Sequence, residues 1–416
     1  MSFARSLYTD ILSFQNKIVF ISGPRQAGKT FLVEHFLKPT LVLNMDSPKD
    51  RLFFKKFPES LLAWFHSQPT FKKPPLVFID EIHKVRGWRN LIKAAYDKSQ
   101  AQIKYVASGS SAFELRKQDK GDSLAGRAVW FQLWPLSFRE YFQFLHPKLS
   151  LPAPWLGEGS LVEKIRSLIP LKKQLRHAWE IYSSFGRFPE PLFQKNETFS
   201  EKWLEDYVAA LLDRDLKDLN TGKDVERVYQ VFQLLMEGLG STYSTHSLSQ
   251  TLGVSFHTVK SDILALKQVL WGFELNVASL RKARQIQKEK KFYPVDFSLT
   301  LRPQTPPDAG RFETQVACLL RRGLSSVINK NLQKLNLGFY RDYQKREVDF
   351  VIYDSKKIRA AIECKLSDEK DIKNLLSLSQ EKQVEEMILV VEKPDVFENW
   401  GKGYSVSVEF LAVCLK

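Results

Sequence analysis

Residues Ile18-Val19-Phe20-Ile21-Ser22 run directly into Gly23-Pro24-Arg25-Gln26-Ala27-Gly28-Lys29-Thr30, and Phe31–Phe36 continue with helical character. This is G-x-x-x-x-G-K-[ST] with an apolar strand before it and a helix after it, the context the pattern requires. Glycines at its two ends let backbone N–H groups close around a phosphate at the positive end of a helix. Gly23, Pro24, Arg25, Gln26, Ala27, Gly28, Lys29 and Thr30 are therefore the expected nucleotide-binding loop. Lys29 would neutralise β/γ-phosphate charge and the Thr30 hydroxyl would ligate Mg²⁺.

Working outward, a second element completes this one about fifty residues on. Leu76-Val77-Phe78-Ile79-Asp80-Glu81 is an apolar strand that ends in two acids. Asp80 is placed to reach the Mg²⁺ shell, and Glu81 to orient and polarise an attacking water, so the pair points to ATP hydrolysis rather than binding alone. Tyr105–Ser111 is a strand that ends in small hydroxyl residues. Ser108 and Ser110 are the candidates for sensing the γ-phosphate, with a plain Ser/Gly turn as the other reading. Arg127, in Leu124-Ala125-Gly126-Arg127, is a candidate transition-state cation supplied in cis or by a neighbouring subunit, or an ordinary surface arginine.

Around these motifs the first region, to about residue 145, alternates short apolar runs with helical stretches, as βα units of a parallel sheet do. The expected strands are Lys17–Ser22, Thr40–Asp46, Leu76–Asp80, Ile103–Ser108 and Val129–Leu133. A break rich in proline and glycine covers Pro147–Gly159. Helical periodicity follows over Leu161–Ser183, Glu201–Leu219 and Val225–Gly238. Three prolines in Thr300–Gly310 mark the next boundary, after which a helix from Phe312 leads into short strands.

The 416 residues suggest two to three domains. An apolar fraction of 44% and a charged fraction of 26% are those of a globular chain and exclude wholesale disorder. No apolar run is long enough for a membrane helix. The N-terminus does not read as a signal peptide, and Cys318, Cys364 and Cys414 fit neither a disulfide framework nor a zinc module, so a cytoplasmic location is expected. Sixty-two basic against 47 acidic residues leave +15, which weakly raises the expectation of a polyanionic partner, with a basic solvated surface as the equal alternative.

GPRQAGKT, LVFIDEIHKVRGW, YVASGSS and LAGRAVWFQLWPLSFREYF, continued by SSFGRFPEPLF and YVAALLDRDLKDL, resemble the prokaryotic AAA+-type P-loop ATPases with a long uncharacterised C-terminal half. The resemblance extends over nearly the whole chain. It implies a P-loop NTPase parallel sheet (residues 1–145), a helical lid or linker (146–222), a winged helix-turn-helix (223–300) and a C-terminal α/β domain related to PD-(D/E)XK nucleases (301–416). FGRFPEP departs from the paired glycines usual there, which puts any role of Arg187 in doubt.

Two further constellations bear on that second half. Ser247–Lys260 reads as helix, glycine turn, helix, with Ser255 capping a second helix Phe256–Leu270 that offers His257, Thr258, Lys260 and Ser261. Downstream, Arg281–Lys291 carries six basic residues between two strand-like runs, where a wing would contact phosphates of DNA or RNA. A packing or protein-interaction module is the equal alternative. In the last region Glu313 opens a helix, Asp349 lies in one strand, and Glu363 and Lys365 end the next. Asp349 and Glu363 side by side would hold Mg²⁺, and Lys365 would act on a water. This arrangement resembles the PD-(D/E)XK core, with Glu313 as its helix acid. The alternative is a retained fold without cleavage. The whole reads as Mg²⁺-dependent ATP hydrolysis coupled to a nucleic-acid-binding, nuclease-like half, or as a nucleotide-switched regulator in which that half is silent. A homo-oligomer or a protein partner is left open.

Overall fold

The computed structural model describes residues 5–14, 16–68, 71, 73–100, 102–109, 124–156, 159–217, 224–278, 289–300, 308–328, 335–367 and 372–416. The chain forms two compact units, Met1–Pro135 and Leu136–Lys416.

The first unit is built on a five-stranded, all-parallel sheet. Its strands are β1 (Ile18–Ser22), β2 (Leu41–Asn44), β3 (Leu76–Asp80), β4 (Lys104–Gly109) and β5 (Ala128–Gln132), in the spatial order β2-β3-β4-β1-β5. All five lie within one or two residues of the expected spans. β1 is buried along its whole length, which is why its sequence is an unbroken apolar run rather than an alternation. One face of the sheet packs on Ile92, Ala95 and Trp88 of the helix Trp88–Ser99, and the other on Leu7, Ile11, Leu32 and Val33. Because β1, β3 and β4 are parallel neighbours, the ends that carry Gly23, Asp80 and Ser108 emerge on one edge.

In the second unit the helices Leu161–Leu168 and Lys172–Phe185 replace the single helix expected over 161–183. Pro170 lies in the 3₁₀ turn Ile169–Leu171 between them, because it has no N–H to continue the ladder. The helix Glu197–Ala210 passes into a π-helical turn, Leu211–Leu216, and Val225–Glu237 follows. Helices Thr245–Thr251 and Phe256–Gln268 are joined by a tight turn with Gly253 at φ 64°, and Ser255 accepts the Thr258 N–H at 3.1 Å to cap the second.

A nine-stranded mixed sheet runs through the rest. β6 (Thr242–Tyr243), β7 (Gly272–Val277) and β8 (Lys290–Pro294) precede β9 (Asn336–Arg341), β10 (Glu347–Tyr353) and β11 (Ile358–Lys365), followed by β12 (Val384–Val391), β13 (Phe397–Asn399) and β14 (Tyr404–Ser407). The order is β13-β14-β12-β11-β10-β9-β7-β8-β6. The β7–β8 hairpin after the two helices is continuous with the C-terminal strands, since β7 pairs in parallel with β9. β13, β14 and the buried terminal helix Val408–Cys414 had no counterpart in the sequence reading. The helix Ala309–Ile328 packs against β8, β9 and β11, which brings Glu313 to the sheet.

Arg187 is structural. Only 1% exposed, its Nε donates to Asp296 Oδ2 at 2.9 Å, one Nη to the Cys318 carbonyl at 3.0 Å and the other to the Val295 carbonyl. The preceding Gly186 has φ 78°, and a Cβ there would stand 2.5 Å from the Cβ of Ser298. A single glycine therefore suffices at FGRFPEP, because it is the close approach of this turn to the Asp296 turn that demands it.

Candidate functional site

The shape of the loop Gly23–Thr30 follows from two backbone constraints. A Cβ on Gly23 would lie 2.1 Å from the Leu133 carbonyl oxygen, so only glycine lets the loop leave β1 beside the strand's neighbour. Gln26 and Gly28 take left-handed conformations, φ 60° and 91°, which turn the chain so that the helix starts at Lys29. Lys29 is 7% exposed, and its ammonium donates to the carbonyls of Gly23 at 2.9 Å and Pro24 at 3.0 Å. Arg5, a residue the sequence reading passed over, donates to the Ala27 carbonyl at 3.0 Å and to the Trp134 carbonyl at 2.6 Å. It ties the outer arm of the loop to the segment after β5. No motif marks it.

Thr30 Oγ1 donates to Asp80 Oδ2 at 2.8 Å, so the hydroxyl and the carboxylate share one point beside Lys29. The other oxygen, Asp80 Oδ1, accepts from Ser108 Oγ and from the Glu81 N–H at 3.2 Å. β4 lies between β1 and β3, so Ser108 spans the gap between the phosphate-loop strand and the acid strand. Of the two serines proposed for that end of β4, Ser108 is bonded into the site, and Ser110 lies outside the described residues. Glu81 adopts a left-handed backbone, φ 54° and ψ 39°, and its Oε2 is 3.3 Å from His83 Nδ1. Burial raises the Glu81 pKa above the usual carboxylate value. Lys29 opposes that shift and Asp80 adds to it.

Arg127 is not brought to this site. It precedes β5, whose first residue pairs with Ile18 at the start of β1, so it stands at the edge of the sheet opposite the phosphate loop. Five strand residues at about 3.3 Å each separate the two edges. Its Nε donates to Asp97 at 2.6 Å on the surface. The cis role is therefore corrected by the parallel pairing of β5 with β1.

The second constellation does assemble. The register Phe350↔Ile362 between antiparallel β10 and β11, carried one residue further, sets Asp349 opposite Glu363. Lys365 Nζ is 3.3 Å from Glu363 Oε1, as alternation along β11 requires, and the Cys364 N–H donates to Asp349 Oδ2 at 2.8 Å. Glu313 accepts from Lys291 Nζ at 2.8 Å and from the Tyr293 hydroxyl. Burial, then Asp349, lifts the Glu313 pKa to about 7 and the Glu363 pKa to about 8, against Lys291 and Lys365 respectively. Asp349 is also raised, by burial first, against Lys291. Among the described residues no group of three or more His, Cys, Asp or Glu side chains is placed to hold a metal ion.

Lys291 was expected among the phosphate-contacting residues of a hairpin tip. Instead it is 1% exposed and paired with Glu313 and, at 2.6 Å, with Glu347. Lys290 is held 3.2 Å from Glu274. Arg281, Lys282, Arg284 and Lys288 lie outside the described residues. On the second of the two paired helices the exposed positions include Phe256, His257, Lys260, Ser261 and Leu264, with Phe256 and Leu264 each 46% exposed.

Residues 15–142 match a family model described as an AAA domain. Residues 176–302 and 311–409 match two models described as domains of unknown function, DUF8612 and DUF4143. An uncharacterised protein of Methanocaldococcus jannaschii is 23% identical over 358 residues, 84% of this chain and 75% of its own. One from Haemophilus influenzae is 24% identical over 360 residues, 81% of each chain. Among solved structures, the Aeropyrum pernix ORC1 protein in complex with DNA is 15% identical and covers 70% of this chain and 89% of its own, with a TM-score of 0.31. The Thermotoga maritima RuvB Holliday junction branch migration motor is 14% identical over 65% of this chain and 89% of its own, with a TM-score of 0.29. The stretch that matches the AAA-domain model contains the Gly23–Thr30 loop and the Thr30–Asp80 contact.

Proposed function

We propose that the protein is a Mg²⁺-dependent ATP hydrolase whose nucleotide state acts on a nucleic-acid-binding, nuclease-like C-terminal half. The observation that carries the hydrolase reading is the bonded series Thr30–Asp80–Ser108 beside Lys29, with Glu81 next in the chain. Lys29 spends its ammonium on two loop carbonyls, and phosphate oxygens of the nucleotide would take their place. Thr30 and Asp80 would hold Mg²⁺, which neutralises charge on the β- and γ-phosphates. Glu81 accepts the proton of the attacking water, and Ser108 fixes the Asp80 carboxylate and the Glu81 backbone in one orientation. Arg127 enters this scheme only as a group offered to a neighbouring copy in a homo-oligomer.

For the second half, residues 223–300 are read as a winged helix and 301–416 as a nuclease-like domain, after a helical linker over 146–222. Asp349 and Glu363 are its metal carboxylates, Glu313 its helix acid and Lys365 its water-positioning lysine. A second reading, a nucleotide-switched regulator with a silent C-terminal domain, is favoured by the mixed face of Phe256–Gln268. That face pairs two exposed apolar side chains with a single lysine, a surface suited to a protein partner. The test is the ATP hydrolysis rate of the wild-type chain and of Lys29→Ala, each with duplex DNA, single-stranded DNA and RNA. Stimulation of the wild type by one nucleic acid supports the first reading. Hydrolysis by Lys29→Ala at the wild-type rate would reject the ATP site.

A further inference from the structure

The carboxylates of Glu313, Asp349 and Glu363, and Lys365 beside Glu363, come from a helix and two strands of the C-terminal stretch, but a second cation comes from elsewhere. Lys291 is on β8, the second strand of the hairpin that follows the paired helices. We propose that this cluster is a divalent-cation site held closed by Lys291, whose ammonium stands where the metal would sit. The proposal rests on the nuclease-like reading of residues 301–416 and adds a gate to it.

Four observations support the gate. Lys291 is buried and draws Glu313 to itself at 2.8 Å, with the Tyr293 hydroxyl on the same carboxylate oxygen. One oxygen of Glu313 is thus taken up by Lys291 and Tyr293, and among the described residues no group of three or more His, Cys, Asp or Glu side chains is placed to hold a metal. Glu363 is 4% exposed, and its Oε2 has no hydrogen-bond partner, an orphaned carboxyl oxygen inside the cluster. Asp349 and Lys365 are partly exposed, so a hydrated ion has a way in. Glu347, the other partner of Lys291, also lies 3.8 Å from Arg341, so loss of the ammonium leaves it with a cation. Glu313, Asp349 and Glu363 would then be left to converge on a hard divalent ion, which takes oxygen ligands of this kind. Because β8 belongs to the helix–turn–helix hairpin, a partner that shifts this strand would open the site.

The test is Lys291→Met in the full chain, without nucleotide, read by thermal melting in EDTA and in Mn²⁺ and by calorimetric Mn²⁺ titration. The wild type should melt at the same temperature in both. Lys291→Met should melt lower in EDTA, recover by several degrees in Mn²⁺, bind one Mn²⁺, and lose that response when Asp349→Asn is added. The charge-balanced Lys291→Met/Glu347→Gln variant should behave alike and guards against a fold lost to unpaired carboxylates. An equal Mn²⁺ response in the wild type overturns the gate, as does a flat response in either variant. Failure of both variants to fold even with Mn²⁺ present also overturns it, because the metal is to replace the ammonium. Supercoiled-plasmid nicking on the same samples separates the two readings. Mn²⁺ binding without nicking keeps the closed cation site and rejects the nuclease, whereas nicking by the wild type with an equal Mn²⁺ response keeps the nuclease and rejects the gate.

Discussion

Replacing Glu81 by glutamine removes one proton acceptor and leaves almost everything around it in place. The Glu81 N–H is held by Asp80 Oδ1 and by Ser108 Oγ at 3.4 Å, and the left-handed backbone at φ 54° is as accessible to glutamine as to glutamate. The loop, Lys29, Thr30 and Asp80 are untouched. A positioned general base typically contributes about 10²- to 10⁴-fold, so kcat should fall by that factor, roughly 3–5 kcal/mol of barrier at about 1.4 kcal/mol per decade. ATP binding should not weaken. The carboxylate lies close enough to Asp80 to be raised by it, and its removal takes a negative charge away from the triphosphate site.

The pH profile supplies the sharper test. Burial and Asp80 push the Glu81 pKa upward, so the carboxyl protonates earlier on acidification than a free glutamate, and a protonated carboxyl cannot accept the water's proton. Wild-type kcat/KM should therefore lose activity on an acidic limb as pH falls through the raised pKa, and Glu81→Gln should lack that limb. The assay is single-turnover hydrolysis of labelled ATP from pH 5 to 9, with nucleotide binding followed by filter retention. A Glu81→Gln enzyme that kept the acidic limb and lost less than about tenfold in rate would refute the assignment. His83, with Nδ1 3.3 Å from Glu81 Oε2, would then be the residue to suspect.

Two further outcomes concern stability rather than turnover. Arg187→Met strands the fully buried Asp296 without its counterion, and removal of one partner of a buried pair costs about 3–5 kcal/mol. Urea unfolding followed by tryptophan fluorescence should show that loss, and Arg187→Met/Asp296→Asn should recover part of it; a single variant as stable as the wild type would contradict the structural role. Glu409, 1% exposed on the terminal helix with Arg176 at 3.9 Å, has its pKa lifted by burial to about 7 from 4.5, against backbone hydrogen bonds and Arg176. The folded state binds that proton more tightly than the unfolded chain, so stability is greatest below about 4.5 and falls as pH rises through about 7, by roughly 3 kcal/mol in all. Glu409→Gln should flatten the melting temperature between those values, and an unchanged slope would assign the pH dependence to other groups.

The strand–loop–helix geometry around Gly23–Thr30 was legible because its information is local. Gly23, Lys29 and Thr30 act through a strand, a loop and a helix that are contiguous in sequence, and β1 and β3 are continuous apolar runs because both their faces are covered. The errors arose where a charge met a partner far along the chain. The tract Arg281–Lys291 has the composition of a solvated tip, yet β8 takes Lys291 into the sheet, and what stabilises its charge there is Glu347 together with Glu313, 22 residues on and carried by a helix. No periodicity in either segment marks that pairing, and a lysine buried without it would be excluded on desolvation alone. Arg127 is kept from the cis role by topology. Its local sequence suits a catalytic cation, but the parallel entry of β5 beside β1 delivers it to the wrong end of the strands. Asp349, Glu363 and Lys365 were legible as neighbours because strand alternation and antiparallel register are short-range rules. What those rules could not give was Lys291, which reaches the group from β8 and pairs with Glu313 and Glu347.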